Sequence, residues 1–259
     1  MSASAVTATG ERLDAVRRSA IQILFVIALI GAWYAVSASG LVSPLLLPPP
    51  GAVLSELLVL ASAAPFWGDV GITLTTIVIS YALAVFTGLA AGILIGRNRF
   101  AYDVFSPILS GLFSIPLIIL YPLALYIAGI GPASKIIFAA TSGFFPVALA
   151  AMSGFANVPQ KYIRYTRTLG AGTWLVTRRL LIPAALPEML NGLRVGFVIT
   201  FASVIAGEMI AAFGGVGRTI SYSAEILEPA RMYALIATVV VFAAVVNTAV
   251  SRIRTGAPA

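Results

Sequence analysis

The sequence predicts an all-α polytopic membrane protein with six transmembrane helices. Of its 259 residues, 60% are hydrophobic and only 10% are charged, which is more apolar than a soluble domain of this size requires. The apolar residues lie in long runs, and about 20 such residues are what a helix needs to cross a hydrocarbon layer of roughly 30 Å. Strands of a membrane barrel would instead alternate in polarity over about 10 residues. We therefore expect helices embedded in a lipid bilayer.

Two residue types that enzymes commonly use do not occur in the sequence. It has no cysteine, which excludes disulfides, iron–sulfur clusters and thiolate metal sites, and no histidine, the commonest metal ligand and general base. The phosphate-binding motif G-x-x-x-x-G-K-[ST] does not occur either. We therefore expect a protein that is not an enzyme, with no catalytic residue and no metal or other cofactor of its own.

The N-terminal part combines a basic segment with one apolar span. Residues 1–19 are small, polar and basic, and we expect a mobile cytoplasmic tail followed by a first span at residues 20–38. A cleaved signal peptide ending near Ala38 is the alternative, although the run is long for one. Residues 41–70 begin with four closely spaced prolines, which predict an extended segment, and residues 53–63 are expected to form a short helix at the outer surface.

Five further spans are predicted, which makes residues 20–250 the transmembrane domain. Gly88, Gly92 and Gly96 in the second span place small residues on one face, which allows a neighbouring helix to come close; ordinary tolerance of glycine in membrane helices is the alternative. The third span is interrupted by Pro116 and Pro122. The predicted bounds are 71–95, 106–129, 134–155, 188–212 and 232–250, with a basic loop at 156–186 and a C-terminal tail at 251–259.

The basic residues predict the orientation of the chain. Twelve of the sixteen Lys and Arg lie in the two tails, in the 96–104 loop and in the 156–186 loop. The opposite loops hold only Lys135, Arg218 and Arg231, and Arg194 lies near the start of the fifth span. Because cytoplasmic loops are enriched in positive charge, we expect both termini in the cytoplasm. With a bilayer around the chain, this charge does not indicate a nucleic acid partner.

The loop at 156–186 is too long and too patterned to be a passive connection. We predict a helix from Lys161 to Leu169, ended by Gly170 in the left-handed conformation, and a second helix that is capped by Thr173 and broken by Pro183. Pro187 suits the first turn of the fifth span. Exposed Leu169 and Trp174 would form a docking surface. The alternative is an interfacial helix whose arginines hold lipid headgroups.

Gly170 and the following Leu180-Leu-Ile-Pro183 resemble the cytoplasmic coupling loop of importer-type ABC permeases. In those proteins a short helix carrying Glu-Ala-Ala, a glycine and an Ile-x-Leu-Pro element docks onto an ATPase. The glycine and the proline element stand in register here, whereas the Glu-Ala-Ala positions read Arg164-Tyr165-Thr166. The resemblance implies a type I importer permease fold in which the residues that couple to the ATPase are Arg164, Arg167, Thr168, Leu169, Gly170, Ala171, Trp174 and Pro183.

Other segments resemble the nitrate, sulfonate and taurine group of these permeases. They are Leu46 to Leu54, Ser114 to Leu117, Pro122 to Gly131, Ser134 to Ile137, Gly207 to Met209 and Gly215 to Gly217. The resemblance implies an inner-membrane subunit that imports a small anion such as a sulfonate, taurine or nitrate. It also implies a second copy of the chain, a soluble substrate-binding protein outside, and a separate ATPase that binds ATP and Mg²⁺.

Two charged residues near or within the fifth span allow more than one interpretation. Arg194 lies near its cytoplasmic end, from which its side chain can extend to the surface. Glu208 lies toward the outer end, where a carboxylate is costly unless it is paired or functional. It is either a structural ion pair or interface residue, or part of a gate or solute pathway. An ion-coupled carrier or channel, which requires several ionisable groups within its spans, and a structural scaffold are the alternative functions.

Overall fold

The structure is a computed structural model that describes residues 3–253 of the chain. The part of the chain that it describes is helical and contains no strand. Five helices are long and apolar enough to cross a membrane, at Ala20–Ala38, Ala64–Gly96, Pro132–Ala156, Thr173–Ile210 and Pro229–Val246. A sixth span results if the bent pair Arg99–Phe113 and Leu117–Ala128 is counted as one. The predicted all-α class is thus confirmed, and the six predicted spans are reached when the bent pair is counted as one span.

One compact unit combines the N-terminal residues up to 62 with residues 223–235. It contains α1 (Ala3–Ala38), α2 (Pro50–Ser62) and the start of α11 (Pro229–Ile253). The Trp33 indole N–H donates to the Pro48 carbonyl over 3.0 Å, and the Tyr233 hydroxyl donates to the Leu46 carbonyl over 3.0 Å. These bonds satisfy carbonyls of the proline segment, which cannot pair with one another through proline nitrogens.

The N-terminal tail is helical from Ala3, since α1 continues through the residues that we expect to be mobile. Alanine recurs in this stretch and is the strongest helix former, which favours continuation of the span. The last tail residues, 254–259, lie outside the described part of the chain.

The second unit, residues 63–222 with the chain from 236 onward, is built around α3 (Ala64–Gly96), α6 (Pro132–Ala156) and α9 (Ile182–Ile210). The buried face of α3 consists mainly of small side chains, at Thr73, Thr76, Ser80, Ala84, Gly88, Gly92 and Gly96. A Cβ on Gly92 would lie 2.8 Å from the Ala148 carbonyl oxygen of α6, and one on Gly96 would lie 2.7 Å from the Met152 carbonyl oxygen. The predicted glycine face is therefore a site of close helix–helix contact.

The predicted span at 106–129 is not one helix. It consists of α4 (Arg99–Phe113), a 3₁₀ turn (Leu117–Leu120) and α5 (Tyr121–Ala128), and the two parts are bent by 80°. Pro116 lacks an N–H and disfavours a helical conformation at Ile115, so the helix ends before it. Pro122 does not interrupt the span, because it lies in the first turn of α5, where a proline is tolerated.

The loop at 156–186 also differs from its prediction at its C-terminal half. After α7 (Gln160–Thr168) come α8 (Thr173–Val176) and a π-helical turn (Thr177–Leu181) that runs directly into α9. Pro183 does not break the helix, because it lies just after the π-helical turn, whose wider hydrogen-bond pattern accommodates a residue that has no N–H. Pro187, which we assign to the first turn of the fifth span, lies inside α9 instead. Thr173 is likewise the first residue of α8, while Gly172 takes the cap position.

Candidate functional site

The first candidate site is the exposed side of the 156–186 loop, and Gly170 determines its shape. Gly170 has a φ of +80°, so the predicted left-handed conformation is confirmed. Its N–H donates to the Arg167 carbonyl over 3.0 Å, and the Ala171 N–H donates to the Thr166 carbonyl over 3.2 Å. These two bonds form a Schellman motif, which satisfies the last carbonyls of α7 and turns the chain sharply toward α8.

Apolar residues on the inner side of the loop attach it to the membrane helices. Val158, Val176 and Leu181 are buried in one cluster with side chains of α6 and α9, and Ile163 and Ala171 pack against that cluster. Burial of a large aliphatic side chain contributes about 1.5–3 kcal/mol. The loop is therefore a fixed part of this unit, with a defined outer surface.

The outer side of the loop presents large apolar groups among positive charges. Leu169 is 72% exposed, Trp174 71% and Tyr165 67%. Arg164, Arg167, Thr168 and Pro183 are exposed as well, whereas Ala171 is only half-buried. We call the exposed set Arg164, Tyr165, Arg167, Leu169 and Trp174 the loop surface. Contiguous exposed apolar groups with a polar surround are typical of a protein-interaction site.

The long helix that follows places this surface outside the hydrocarbon layer. Thr173–Ile210 is a run of 38 residues, or about 57 Å of helix, whereas the hydrocarbon layer is roughly 30 Å thick. Exposed Arg178 and Arg179 lie at its N-terminal end, so that end extends beyond the bilayer.

The second candidate site surrounds Glu208, which is fully buried on α9. The Thr73 hydroxyl of α3 donates to the Glu208 carboxylate, 2.9 Å from Oε2 and 3.0 Å from Oε1. The Gly217 N–H, in the first turn of α10 (Val216–Glu225), donates to Glu208 Oε2 over 3.0 Å. The carboxylate therefore binds α3 to the positive end of a short helix, as helix N-termini commonly bind anions.

Asp69 makes a second attachment of the same kind. Its Oδ1 accepts from the Gly215 N–H over 2.8 Å, and its Oδ2 accepts from the Thr219 hydroxyl over 2.7 Å. The Val216 N–H donates to the Thr73 hydroxyl oxygen over 2.9 Å. Sequence reasoning does not single out Asp69 and Thr73, because Asp69 precedes the predicted span. Their spacing of four residues, which puts both on one helix face, is the signal that could identify them.

Glycine is required in the segment that faces the Glu208 carboxylate. Gly215 has a φ of +107°, and a Cβ there would meet the carboxylate carbon of Glu208. A Cβ on Gly217 would lie 2.6 Å from the Ile205 carbonyl oxygen. The backbone can therefore approach the carboxylate only because both positions lack a side chain.

Lys135 lies inside the protein, although its position suggests a surface loop. It is only 3% exposed in the first turns of α6 and interacts electrostatically with Glu208. Nearby, the buried Tyr121 donates its hydroxyl to the Gly207 carbonyl over 3.0 Å. A positive charge close to a buried carboxylate offsets part of its desolvation cost.

The two candidate sites are well separated. Pro183 and Glu208 are 25 positions apart on α9, or about 38 Å along a helix. The predicted loop residues all lie between positions 164 and 183, at or before the start of α9, whereas Glu208 lies near the other end of that helix. Arg194 lies between them and is half-buried.

A helical membrane core with an exposed loop is also found in the solved structure of a transporter permease. The chain has the fold of the methionine ABC transporter MetNI in its inward-facing conformations, with a TM-score of 0.64, 24% identity, and coverage of 73% of this chain and 94% of that one. The chain belongs to the family described as binding-protein-dependent transport system inner membrane component, whose model matches residues 84–255.

Several relatives have names that state a transported solute. The taurine transport system permease protein TauC of Escherichia coli K12 is 34% identical over 220 residues, which is 83% of this chain and 80% of that protein. The nitrate import permease protein NrtB of Synechocystis is 32% identical, covering 56% of this chain and 52% of NrtB. The putative aliphatic sulfonates permease SsuC of Bacillus subtilis is 26% identical, covering 84% and 78%.

The chain is accordingly the multi-pass inner-membrane permease subunit of an ABC importer. Membership of this class implies that the chain works together with a separate ATPase and a substrate-binding protein. It decides against an ion-coupled carrier and against a structural scaffold.

We predict that Thr73→Val destabilises the protein, because it leaves the buried Glu208 carboxylate and the Val216 N–H without the hydroxyl that both contact. The loss of such a bond typically costs about 1–3 kcal/mol. Thermal unfolding of the purified protein in detergent measures the effect. Thr75→Val is the matched control, because the exposed Thr75 hydroxyl bonds only to the Gly71 carbonyl of its own helix. Equal unfolding temperatures for the two variants would contradict the prediction.

Proposed function

We propose that this permease imports a small organic or inorganic anion, such as a sulfonate, taurine or nitrate. The observation that carries the proposal is the 34% identity to a taurine permease over most of both chains, together with the nitrate and sulfonate relatives. Titration of the cognate substrate-binding protein with taurine, an alkanesulfonate and nitrate tests it. If the binding protein bound none of these three solutes but bound an unrelated solute tightly, the proposed substrate class would be wrong.

We propose further that the chain works as a homodimer with both termini in the cytoplasm. The support for the orientation is the distribution of basic residues, since twelve of sixteen lie on one predicted side. Two-fold pairing is the usual symmetry of such assemblies. The mass of the detergent-solubilised complex reports the copy number. An impermeant thiol reagent on intact cells should label a cysteine introduced at position 49 and not one at position 12 or 252.

The loop surface is, in this proposal, where the ATPase binds. The support is its exposure together with the register of Gly170 and Pro183 with the family's coupling loop. Leu169 and Trp174 supply the apolar contact, and Arg164, Arg167 and Thr168 surround it, with Ala171 and Pro183 fixing the turn and the helix behind it. Movement of the ATPase pair on ATP binding would then shift this loop and the attached α9, which switches the side from which the cavity is open.

We expect Gly170→Val to abolish transport while the protein still inserts into the membrane. A β-branched residue at a φ of +80° is strained by about 1–3 kcal/mol, which would reshape the turn. Gly172→Val is the matched control, because Gly172 has a φ of −67° and open space around it. Uptake by reconstituted transporter and co-purification of the ATPase are the measurements. Full transport by the Gly170 variant would show that the turn is dispensable.

Trp174→Ala is expected to weaken ATPase binding without loss of stability. The side chain is 71% exposed, so its truncation removes little contact within this chain. A tryptophan at the centre of an interface commonly contributes about 2 kcal/mol or more to binding. Unaltered co-purification of the ATPase with this variant would place Trp174 outside the interface.

Arg164 departs from the acidic residue that the family carries six positions before the glycine. Lys161, Arg164 and Arg167 are all exposed on α7, which makes this helix uniformly basic. Because like charges across an interface cost several kcal/mol, we propose that the cognate ATPase presents an acidic residue opposite Arg164.

Arg164→Glu should therefore weaken assembly with the ATPase by about ten-fold, or about 1.4 kcal/mol. The defect should grow at low ionic strength, where screening is weaker. Arg164→Lys preserves the charge, and Arg97→Glu reverses an exposed charge on another loop; both serve as controls. Assembly that is unchanged at low and high salt would show that Arg164 faces only solvent.

For Glu208 we propose a part in the gate or solute pathway. Its carboxylate joins α9, whose N-terminal end follows the loop surface along the chain, to α3 and α10. Glu208→Gln keeps the size of the side chain but replaces one acceptor oxygen with an NH2 donor, so a single oxygen is left to accept from both Thr73 and Gly217. Substrate-stimulated ATP hydrolysis should change in this variant and not in Glu188→Gln, an exposed position on the same helix. Wild-type hydrolysis in the folded Gln variant would assign Glu208 to packing alone.

A further inference from the structure

The break between α4 and the turn at Leu117–Leu120 is the feature that the fold alone does not explain. From the cap at Asn98 to Phe113, α4 extends 15 residues, or about 22 Å. Exposed Arg99 and Asp103 in its first turns, and Arg97 just before its cap, mark the membrane surface. The break at residues 114–116 therefore lies within a hydrocarbon layer of roughly 30 Å and not at its edge.

The backbone at this break is exposed. Ser114, Ile115 and Pro116 are all solvent-accessible in the isolated chain, and Pro116 has an extended ψ of 96°. The Ser114 N–H keeps its helical bond to the Ser110 carbonyl over 3.1 Å, and the bonds that follow span only three residues, from the Ile115 N–H to the Leu112 carbonyl and from the Ile119 N–H to the Pro116 carbonyl. Irregular backbone at membrane depth cannot face lipid, because its polar groups would have no partner there.

The break is fixed in place and is not a frayed end. Tyr121, directly after the turn, is fully buried, and its hydroxyl donates to the carbonyls of Gly207 and Ala211 over 3.0 and 3.2 Å. Its ring packs on Phe138 of α6 with 5.1 Å between centroids. The position of the break is thus set by the same end of α9 that carries Glu208.

A groove of about 390 Å³ opens beside the break. Residues 115–118 form one wall and α9 forms another, and the hydroxyl-bearing residues in its lining are Ser142 and Ser203. The Ser142 hydroxyl donates to the Phe138 carbonyl over 2.9 Å, which leaves its oxygen able to accept. Among the described residues that line it, none is charged.

We propose that the break and this groove line the water-filled passage through which the solute crosses. The inference rests on the transport function proposed above and adds the part of the chain that the solute meets. Two hydroxyls and a few backbone groups replace some of the hydration of a small hydrophilic solute without binding it tightly. Such weak, uncharged contacts suit a passage, since a solute that is to be released must not be held strongly.

The absence of cysteine from the chain makes a direct test possible. Single cysteines at Ser114 and Ser203 would be treated with 2-sulfonatoethyl methanethiosulfonate in the complete reconstituted transporter. Leu29→Cys is the control, because Leu29 is 62% exposed in an unbroken apolar span. We expect both serine variants to react at least about ten-fold faster than the control, since a thiolate forms in water and not in lipid. Taurine uptake by the labelled variants should be lost.

Two outcomes contradict the passage itself, and a third concerns only the substrate class. In the first, Ser114→Cys and Ser203→Cys are labelled as slowly as Leu29→Cys, and two copies of Ser114→Cys can be cross-linked by oxidation. That result would show that a second protein chain covers the break and that no water reaches it. Fast labelling that leaves uptake intact would show a water-filled crevice that the solute does not use. Failure of taurine, sulfonate and nitrate to bind the substrate-binding protein would overturn the substrate class alone, because the labelling rates do not depend on it.

Discussion

Inside a bilayer each backbone N–H and C=O must find a partner within the protein, and this constraint shapes the whole chain. Long helices meet it everywhere except where a proline or a short connection intervenes. At the start of α10, the carboxylates of Asp69 and Glu208 accept from the N–H groups of Gly215, just before the helix, and Gly217, in its first turn. At the proline segment, the side chains of Trp33 and Tyr233 bind two of the carbonyls. At the break before Pro116, the Ser114 hydroxyl donates to the Ser110 carbonyl over 2.9 Å, while Ile115 and Pro116 stay exposed.

Close packing of the central helices follows from small residues and not from large apolar ones. Lipid tails are as apolar as leucine, so apolar burial does not by itself drive helices together in a membrane. The small side chains along α3 let its backbone approach α6 to van der Waals contact. Gly143 and Gly196 repeat the arrangement between α6 and α9, where their added Cβ atoms would meet Thr200 and Val147. Large side chains such as Leu29 and Val241 face outward instead.

Local chemistry made part of this structure predictable. The apolar runs predicted the helical class, and the glycine after Leu169 predicted the left-handed turn. Both features depend only on neighbouring residues. Which of Pro183 and Pro187 takes the first turn of α9 could not be decided, since either suits it and the π-helical turn that selects Pro183 has no clear sequence signal. Burial of Lys135 and the partnership of Asp69 and Thr73 with α10 depend on contacts between distant segments. The loop surface was predictable because Gly170 and Pro183 align with the family's coupling loop. The partners of Glu208 could be identified only in the folded structure.

The uninterrupted path from α8 through the π-helical turn into α9 has a mechanical consequence. A π-helical turn is wider than an α-helical one and is common at functional sites, so Thr177–Leu181 is a natural point of bending. From there to Glu208 the helix continues for about 40 Å, with Pro187 inside its first turns. A tilt of about 5° at the turn displaces the far end of a rod of that length by about 3–4 Å. A helix of that length acts as a lever. A small rotation on one side of the membrane displaces the other end by more than the donor–acceptor distance of a hydrogen bond.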